Sequence, residues 1–258
     1  MRFEIDVRMR YRFSEPNTVA LVLEAARTPG QIVQQEYLQM GDAMVTRIGG
    51  DCGIGTRIWA QIPGTEMQLT YQATIETTRP ALQLDLMYSA PLHELPSEAA
   101  PFIRPSRYCQ SDKFVSFVNK RFGHRHGGAK VAAIRDWIED NLSYVPGSSD
   151  SDTNVLDTFA GREGVCRDYV HLFCAMVRAA QIPARAVAAY GPDVWPQDFH
   201  AVAEVWLDGS WHLVDATGMC AAIDLAVIAV GRDAYDIAFM ESQAPATLLT
   251  QEVRVNRV

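Results

Sequence analysis

The first thirteen residues alternate strictly between apolar and polar side chains. Apolar residues occupy the odd positions from Phe3 to Phe13, and charged residues occupy the even positions. A period of two is typical of a β-strand with one buried face. The pattern predicts a strand at the start of the chain, and it does not favour a signal peptide.

Alternation continues as far as residue 90. Residues 58–78, "IWAQIPGTEMQLTYQATIETT", alternate on both sides of Pro63-Gly64 and predict a β-hairpin. Residues 81–88, "ALQLDLMY", repeat the pattern and predict a further strand that carries Leu82, Leu84 and Leu86 on one face. The first ninety residues therefore predict a β-rich, sandwich-like region.

Prolines mark the end of this region. They stand at Pro91, Pro96, Pro101 and Pro105. Such a stretch cannot maintain a regular element, because proline lacks an N–H donor and fixes its own backbone angle. We place a boundary near residue 95, which predicts an N-terminal β-rich domain over 1–95 and a second domain over 96–258.

Beyond the boundary the period becomes helical. Ser111 and Asp112 are expected to cap a first helix that ends at "GHRHGG", and apolar residues from Val131 to Leu142 indicate a second. Residues 153–161, "TNVLDTFAG", predict a short third helix that Gly161 stops. After Pro183 the pattern returns to strands, and "TQEVRVNRV" predicts a last strand at the C-terminus.

A fourth helix is predicted to begin at a cysteine, within "GREGVCRDYVHLFCAMVRAA" at 161–180. Cys166, Val170, Phe173 and Val177 fall on one stripe of that helix. At a helix N-terminus the unpaired N–H groups and the helix dipole favour thiolate over thiol. Cys166 is therefore a candidate nucleophile, although a cysteine taken alone is more often a small buried structural residue.

The following strands bring a histidine and an acid together. "AVAEVWL" and "SWHLVDA" flank Asp208-Gly209, a strong signal for a two-residue hairpin turn. In that register Val202 faces Asp215, so that His200 lies diagonally opposite Asp215 at roughly 7–8 Å between backbone positions. Asp198 and Glu204 share the face of His200, and the strand pattern alone leaves all three acids open as its partner.

A cysteine, a histidine and an acid are the components of a thiol acyl-transfer site. Cys166 would attack a carbonyl, His200 would carry the proton to the leaving amine, and Asp215 would orient the imidazole. The backbone N–H of Cys166 would donate to the oxyanion.

Several longer motifs carry a family resemblance. They are "GREGVCRDYVHLFCAMVRAAQIPARAVAAY", "DFHAVAEVWLDGSWHLVDAT", "PSRYCQSD", "LSYVPGSS" and "GRDAYDIAF". In this order they resemble the core domain of the bacterial transglutaminase-like superfamily, which comprises papain-like thiol enzymes with the catalytic order Cys, His, Asp. The resemblance implies a catalytic triad of Cys166, His200 and Asp215. Val202 stands where the family often has tryptophan, a departure that bears on substrate choice.

The resemblance also implies a fold. We expect an α+β protein with an N-terminal β-rich domain and a papain-like core, in which the catalytic helix packs on an antiparallel sheet. The expected activity is a cysteine peptidase or amidase that cleaves an amide or isopeptide bond of a peptide or protein substrate. A transglutaminase that moves a glutamine acyl group to an amine, and a non-catalytic binding scaffold, stay open as alternatives.

Composition and cysteine spacing limit the classes of partner and cofactor that we expect. The formal net charge is -8 and no basic cluster is present, so we expect no nucleic-acid partner. The five cysteines show no metal-ligand spacing and no disulfide framework, which favours the cytoplasm. No phosphate-binding glycine motif occurs and no apolar run is long enough to span a membrane, so no cofactor and no membrane association are expected. The oligomeric state is left open.

Other conspicuous residues have ordinary explanations. His124 and His126 lack further ligands for a metal and are expected in a solvated loop. Trp206 and Trp211 are expected as a cross-strand pair, and His171 as a packing or solvated residue. Asp168 is expected to cap the cysteine helix or to form a salt bridge.

Overall fold

A computed structural model describes all 258 residues and contains fourteen strands and five helices. The strands are β1 Arg2–Phe13, β2 Asn17–Leu21, β3 Gln31–Gln39, β4 Met44–Gly49, β5 Thr56–Ile62, β6 Glu66–Thr77, β7 Ser143–Tyr144, β8 Glu163–Gly164, β9 Ala184–Tyr190, β10 His200–Leu207, β11 Ser210–Val214, β12 Ala226–Gly231, β13 Met240–Ser242 and β14 Ala246–Arg257. The helices are α1 Val115–Phe122, α2 Gly127–Asn141, α3 Val155–Gly161, α4 Cys166–Ala179 and α5 Ala234–Ile237.

Two four-stranded sheets form the N-terminal part of the fold. Their strand orders are β14-β1-β6-β3 and β13-β2-β5-β4. In β1 every odd residue from Phe3 to Phe13 is buried, which confirms the predicted alternation. The buried faces of both sheets contribute to one apolar core, as in a sandwich.

The predicted hairpin over 58–78 is wrong, although both of its strands exist. β5 pairs with β2 and β4, whereas β6 pairs with β1 and β3, so the two strands lie in different sheets. Pro63-Gly64 turns the chain from one sheet to the other. Alternation identifies a strand and its buried face, but both layers of a sandwich have one buried face and the pattern does not specify the partner.

The strand predicted over 81–88 is also wrong. Only a short 3₁₀ turn forms there, over Leu84–Leu86, and the side chain of Leu86 is largely exposed. This turn lies against the start of α2, where Gly127 and Gly128 allow the two backbones to approach closely. Tertiary packing against α2 has therefore overridden the local alternation.

The chain returns to the sandwich at its end. The predicted C-terminal strand is confirmed as β14, and it pairs along its length with β1. β13 pairs with β2 of the other sheet. The two sheets are thus each completed by residues from beyond position 239, which lie within the range that the sequence assigned to the second domain.

The rest of the fold, which we call the core, is built around an antiparallel sheet with the order β11-β10-β9-β12. α4 packs on β9 and β10, against the face that carries Ala203, Val205 and Leu207. The α+β class and the helix packed on an antiparallel sheet are confirmed. None of the five helices is long and apolar enough to cross a membrane.

The helix ends differ in detail from the prediction. Ser111 begins a separate 3₁₀ turn and neither it nor Asp112 caps α1, which starts after Phe114. Gly161 is the last residue of α3, and Arg162 adopts the left-handed conformation that ends it, with φ of 60°. Asn154 caps the N-terminus of α3 by accepting a hydrogen bond from the Leu156 N–H.

Candidate active site

Cys166 is the first residue of α4, as predicted. The carboxylate of the buried Asp168 accepts hydrogen bonds from the Val165 N–H at 2.8 Å and from the Ser149 hydroxyl at 2.5 Å. These bonds fix the chain just before Cys166, so Asp168 acts as a helix cap. A Cβ on Gly164 would lie only 2.6 Å from the Asp168 Cβ, which explains why glycine precedes this turn.

The β10–β11 hairpin has the register predicted from its turn. Leu207 faces Ser210, and Trp206 faces Trp211. Asp208 and Gly209 both have positive φ, 48° and 73°, as a two-residue turn of this kind requires. The turn therefore fixes the strand register, and the register decides which side chains are neighbours at the other end of the hairpin.

That other end holds His200 and Asp215. His200 Nε2 lies 2.9 Å from Asp215 Oδ2, and both side chains are buried. Burial raises the pKa of Asp215, but the hydrogen bonds from His200 and Thr217 lower it by more. Burial lowers the pKa of His200, but the bond to Asp215 and the neighbouring Cys166 outweigh burial and raise that pKa to about 10.

The structure brings Cys166, His200 and Asp215 together. Nδ1 of His200 is buried and makes no hydrogen bond, and Cys166 lies near enough to the imidazole to raise its pKa. The imidazole thus bonds to an acid through Nε2 and has the Cys166 thiol as a neighbour. The side chain of Cys166 is half-buried, in contrast to the buried Cys109, Cys174 and Cys220.

The two other acids on the strand have different partners. Glu204 forms an ion pair with Arg185, with 2.6 Å between Arg185 Nη2 and Glu204 Oε2. Asp198 accepts hydrogen bonds from the Phe199 N–H and from Gln251. Of the acids that the sequence left open, only Asp215 bonds to His200.

Tyr144 is a further residue of this site that sequence reasoning missed. β7 runs parallel to β8 with Tyr144 opposite Gly164, two residues before Cys166. This pairing places Tyr144 close to the start of α4. Burial raises the pKa of Tyr144, and the charge of the neighbouring Cys166 raises it as well. The motif "LSYVPGSS" was the available signal, but no periodicity in the sequence links it to the cysteine helix.

The remaining candidates lie outside this site. His171 is buried and stacks on Tyr108, and its Nε2 accepts a hydrogen bond from the Ala234 N–H. Burial lowers the pKa of His171 to about 4. Trp206 and Trp211 form the expected cross-strand pair, with ring centroids 5.4 Å apart.

The predicted solvated loop at His124 and His126 is a short exposed turn between α1 and α2. No group of three or more His, Cys, Asp or Glu side chains with metal-binding geometry occurs in the structure.

The sequence and the fold of this chain are similar to those of known proteins. A sequence profile described as the Transglutaminase-like superfamily matches residues 117–216, the segment that contains Cys166, His200 and Asp215. A crystal structure described as "a Putative Cysteine Protease from Cytophaga hutchinsonii" is 34% identical and superposes with a TM-score of 0.93, covering 99% of this chain and 90% of that one. This chain belongs to the transglutaminase-like superfamily.

Two further proteins are similar to this member of the transglutaminase-like superfamily. An uncharacterized protein of Mycobacterium leprae is 26% identical over 211 residues, which are 76% of this chain and 75% of that protein. The periplasmic domain of TgpA from Pseudomonas aeruginosa is 17% identical with a TM-score of 0.43, covering 84% of this chain and 92% of that one.

The high TM-score to the Cytophaga hutchinsonii structure extends over the sandwich as well as the core, because the match covers nearly the whole chain. The sandwich and the core are therefore arranged in the same way in that relative. Membership of the transglutaminase-like superfamily supports a thiol-dependent enzyme as the class of protein to which this chain belongs.

Proposed function

We propose that this protein is a cysteine peptidase or amidase that cleaves amide or isopeptide bonds of peptide or protein substrates. The observation that carries the proposal is the contiguous arrangement of a half-buried thiol at a helix N-terminus, an imidazole beside it and a carboxylate 2.9 Å from that imidazole. The likeness to the Cytophaga hutchinsonii protein supports the same activity.

In the first half of the proposed reaction, the thiolate of Cys166, which is paired with the protonated imidazole of His200, attacks the substrate carbonyl. A carbon–sulfur bond forms and the carbonyl oxygen becomes an oxyanion. The N–H of Cys166, at the positive end of α4, donates to that oxyanion. The Tyr144 hydroxyl, which lies beside Cys166, is the second donor that we propose.

The second half releases the products. The carbon–nitrogen bond breaks as the amine takes the proton from His200, which leaves a thioester on Cys166. Water then attacks the thioester while His200 accepts a proton from it, and the carbon–sulfur bond breaks to release the acid product and restore the thiolate beside the protonated His200. Asp215 holds the imidazole in one tautomer and stabilises its charged form at both stages.

Alkylation tests whether Cys166 is activated. We expect iodoacetamide at neutral pH to modify Cys166 faster than Cys52, which is the exposed cysteine and serves as an internal reference. His200→Ala should reduce the rate at Cys166 and leave the rate at Cys52 unchanged. Equal rates at the two cysteines in the unaltered protein would favour a non-catalytic scaffold.

Product analysis tests the reaction. Peptide mixtures incubated with the protein should yield new amino termini, Cys166→Ala should abolish them, and Tyr144→Phe should lower kcat more than it changes KM. A glutamine peptide offered with a labelled primary amine distinguishes the other outcome. Incorporation of the label without hydrolysis would assign a transglutaminase and contradict the proposal.

A further inference from the structure

The loop from Asp215 to Cys220, with the sequence "DATGMC", folds around the carboxylate of its own first residue. Asp215 Oδ1 accepts a hydrogen bond from the Thr217 N–H at 2.8 Å and another from the Thr217 hydroxyl at 2.7 Å. Asp215 Oδ2 accepts from the Cys220 N–H at 3.1 Å, in addition to its 2.9 Å contact with His200 Nε2. Four donors therefore surround one carboxylate.

The backbone of the loop is shaped for this arrangement. The Thr217 oxygen also accepts a hydrogen bond from the Met219 N–H at 3.2 Å, so the threonine connects the carboxylate to the far side of the turn. Gly218 has a φ of 69°, which glycine adopts without strain, and a Cβ there would lie 2.5 Å from Glu139 Oε1 of α2. The side chain of Glu139 thus lies close to the outer side of the turn.

We propose that Thr217 is a positioning residue, whose hydroxyl holds the Asp215 carboxylate in the rotation that directs Oδ2 at His200. A carboxylate on a single bond to its backbone can rotate, and rotation would move Oδ2 away from the imidazole. The bonds to Oδ1 prevent that rotation. The proposal rests on the proposed function, because it assigns Thr217 a role in supporting His200 beside Cys166.

Removing the hydroxyl has a defined electrostatic consequence. The carboxylate would lose one donor to its ionised form, and an Asp215 that is less firmly ionised and less well oriented stabilises the imidazolium of His200 less. The thiolate of Cys166 would then form less readily at acid pH. The substitution removes no other titratable group that faces the loop; those groups are His200, Cys220, Glu139, Asp193 and Asp224.

The experiment measures the rate of iodoacetamide alkylation at Cys166 against pH. We expect Thr217→Val and Thr217→Ala to react about tenfold more slowly at about pH 6, the effect of one hydrogen bond to a charged group, and to approach the rate of the unaltered protein at about pH 9. Thr217→Ser, which keeps the hydroxyl, should stay within about twofold at both values.

A matched variant controls for the loss of any buried hydroxyl. Thr158 of α3 is buried and donates to the Asn154 carbonyl at 3.3 Å, away from the carboxylate of Asp215. Thr158→Val should leave the pH profile at Cys166 unchanged. If Thr158→Val slows Cys166 as much as Thr217→Val does, the effect is general destabilisation and the proposal is wrong.

The remaining outcomes separate this proposal from the proposed function. Normal profiles for both Thr217→Val and Thr217→Ala, together with a slow His200→Ala, would overturn the role of Thr217 alone. Slow alkylation of Cys166 in the unaltered protein would overturn the proposed function itself. If Thr217→Val does not fold, Thr217→Ala decides, because alanine removes the hydroxyl and adds no apolar atom.

Discussion

Single residues in this protein acquire their properties from the partners that the fold provides. The sequence contains five cysteines and six histidines, and the fold places Cys166 next to His200. His171, on the same helix as Cys166, is buried without a carboxylate bonded to its ring, so burial dominates and lowers its pKa. His200 is equally buried, and its bond to Asp215 and its neighbour Cys166 reverse that effect.

The raised pKa of His200 has a consequence for stability. Its pKa rises from 6.5 to about 10 on folding, so the folded protein binds a proton that the unfolded chain releases between these values. The contribution of His200 to the free energy of unfolding is therefore fully present below about pH 6.5 and is lost as the pH rises towards 10. We expect urea unfolding to show stability falling across this range.

The control for this prediction is a histidine in solvent. His126→Ala should keep the fall in stability, because His126 lies exposed before α2, whereas His200→Ala should flatten it. An equal slope in His200→Ala and in the unaltered protein would contradict the prediction and assign the pH dependence to other groups.

At the scale of elements, local sequence signals predicted where a helix starts or a hairpin turns better than they predicted which strands pair with each other. The start of α4 and the register of the β10–β11 hairpin follow from residues within a few positions, namely the "EGVC" turn and Asp208-Gly209. The connection between β5 and β6 does not, because its strands pair with partners distant in the sequence. Loop chemistry can specify a turn, but only packing decides which sheet receives the next strand.

The close approach at the start of α2 gives a prediction for one element. A Cβ on Gly128 would lie 1.7 Å from the Leu84 carbonyl oxygen, a backbone atom that cannot move away as a side chain does. Gly128→Ala should therefore lower the free energy of unfolding by about 2–3 kcal/mol, as in an overpacked core. Equilibrium urea unfolding measures the change.

Gly161 provides the matched helix position. It ends α3 with no atom near its would-be Cβ, so Gly161→Ala should be neutral or slightly stabilising. If both alanine variants had the same stability, the packing of Leu84–Leu86 on α2 would be too loose to explain the failure of the predicted strand.

At the scale of the whole molecule, the sandwich and the core are joined by buried contacts. Tyr190 of β9 donates its hydroxyl to the Leu23 carbonyl at 2.8 Å, and its ring stacks on that of Tyr71 in β6 at 6.4 Å. Tyr71 in turn accepts a hydrogen bond from the Ala25 N–H at 2.9 Å. One apolar cluster includes residues of both sheets of the sandwich and of α4.

We expect these contacts to make the two parts unfold together. Tyr190→Phe leaves the Leu23 carbonyl without its donor and should lower stability by about 1–2 kcal/mol. Because this junction joins β9 of the core to the sandwich, fluorescence of Trp59 in the sandwich and of Trp211 in the core should report one shared midpoint in urea. Single-tryptophan variants measure each probe separately.

A split transition would contradict this expectation. If Tyr190→Phe lowered the midpoint reported by Trp211 and left that of Trp59 unchanged, the sandwich would be an independent folding unit. The boundary near residue 95, which stays a prediction, would then separate two units that unfold independently.

The sequence by itself determined the features that depend on near neighbours. These are the buried face of β1, the helix that starts at Cys166, and the register that sets His200 diagonally opposite Asp215. Each arises from backbone periodicity or from turn geometry. Both act over a few residues and can therefore be predicted from a single sequence.

Only the tertiary structure decided what depends on distant segments. It placed β5 and β6 in different sheets, closed the sandwich with β14, and set Tyr144 beside Cys166. It also selected Asp215 as the partner of His200, because the contacts of Asp198 and Glu204 lie elsewhere. Such pairings follow from three-dimensional packing among segments far apart in the chain, for which a single sequence carries no periodic signal.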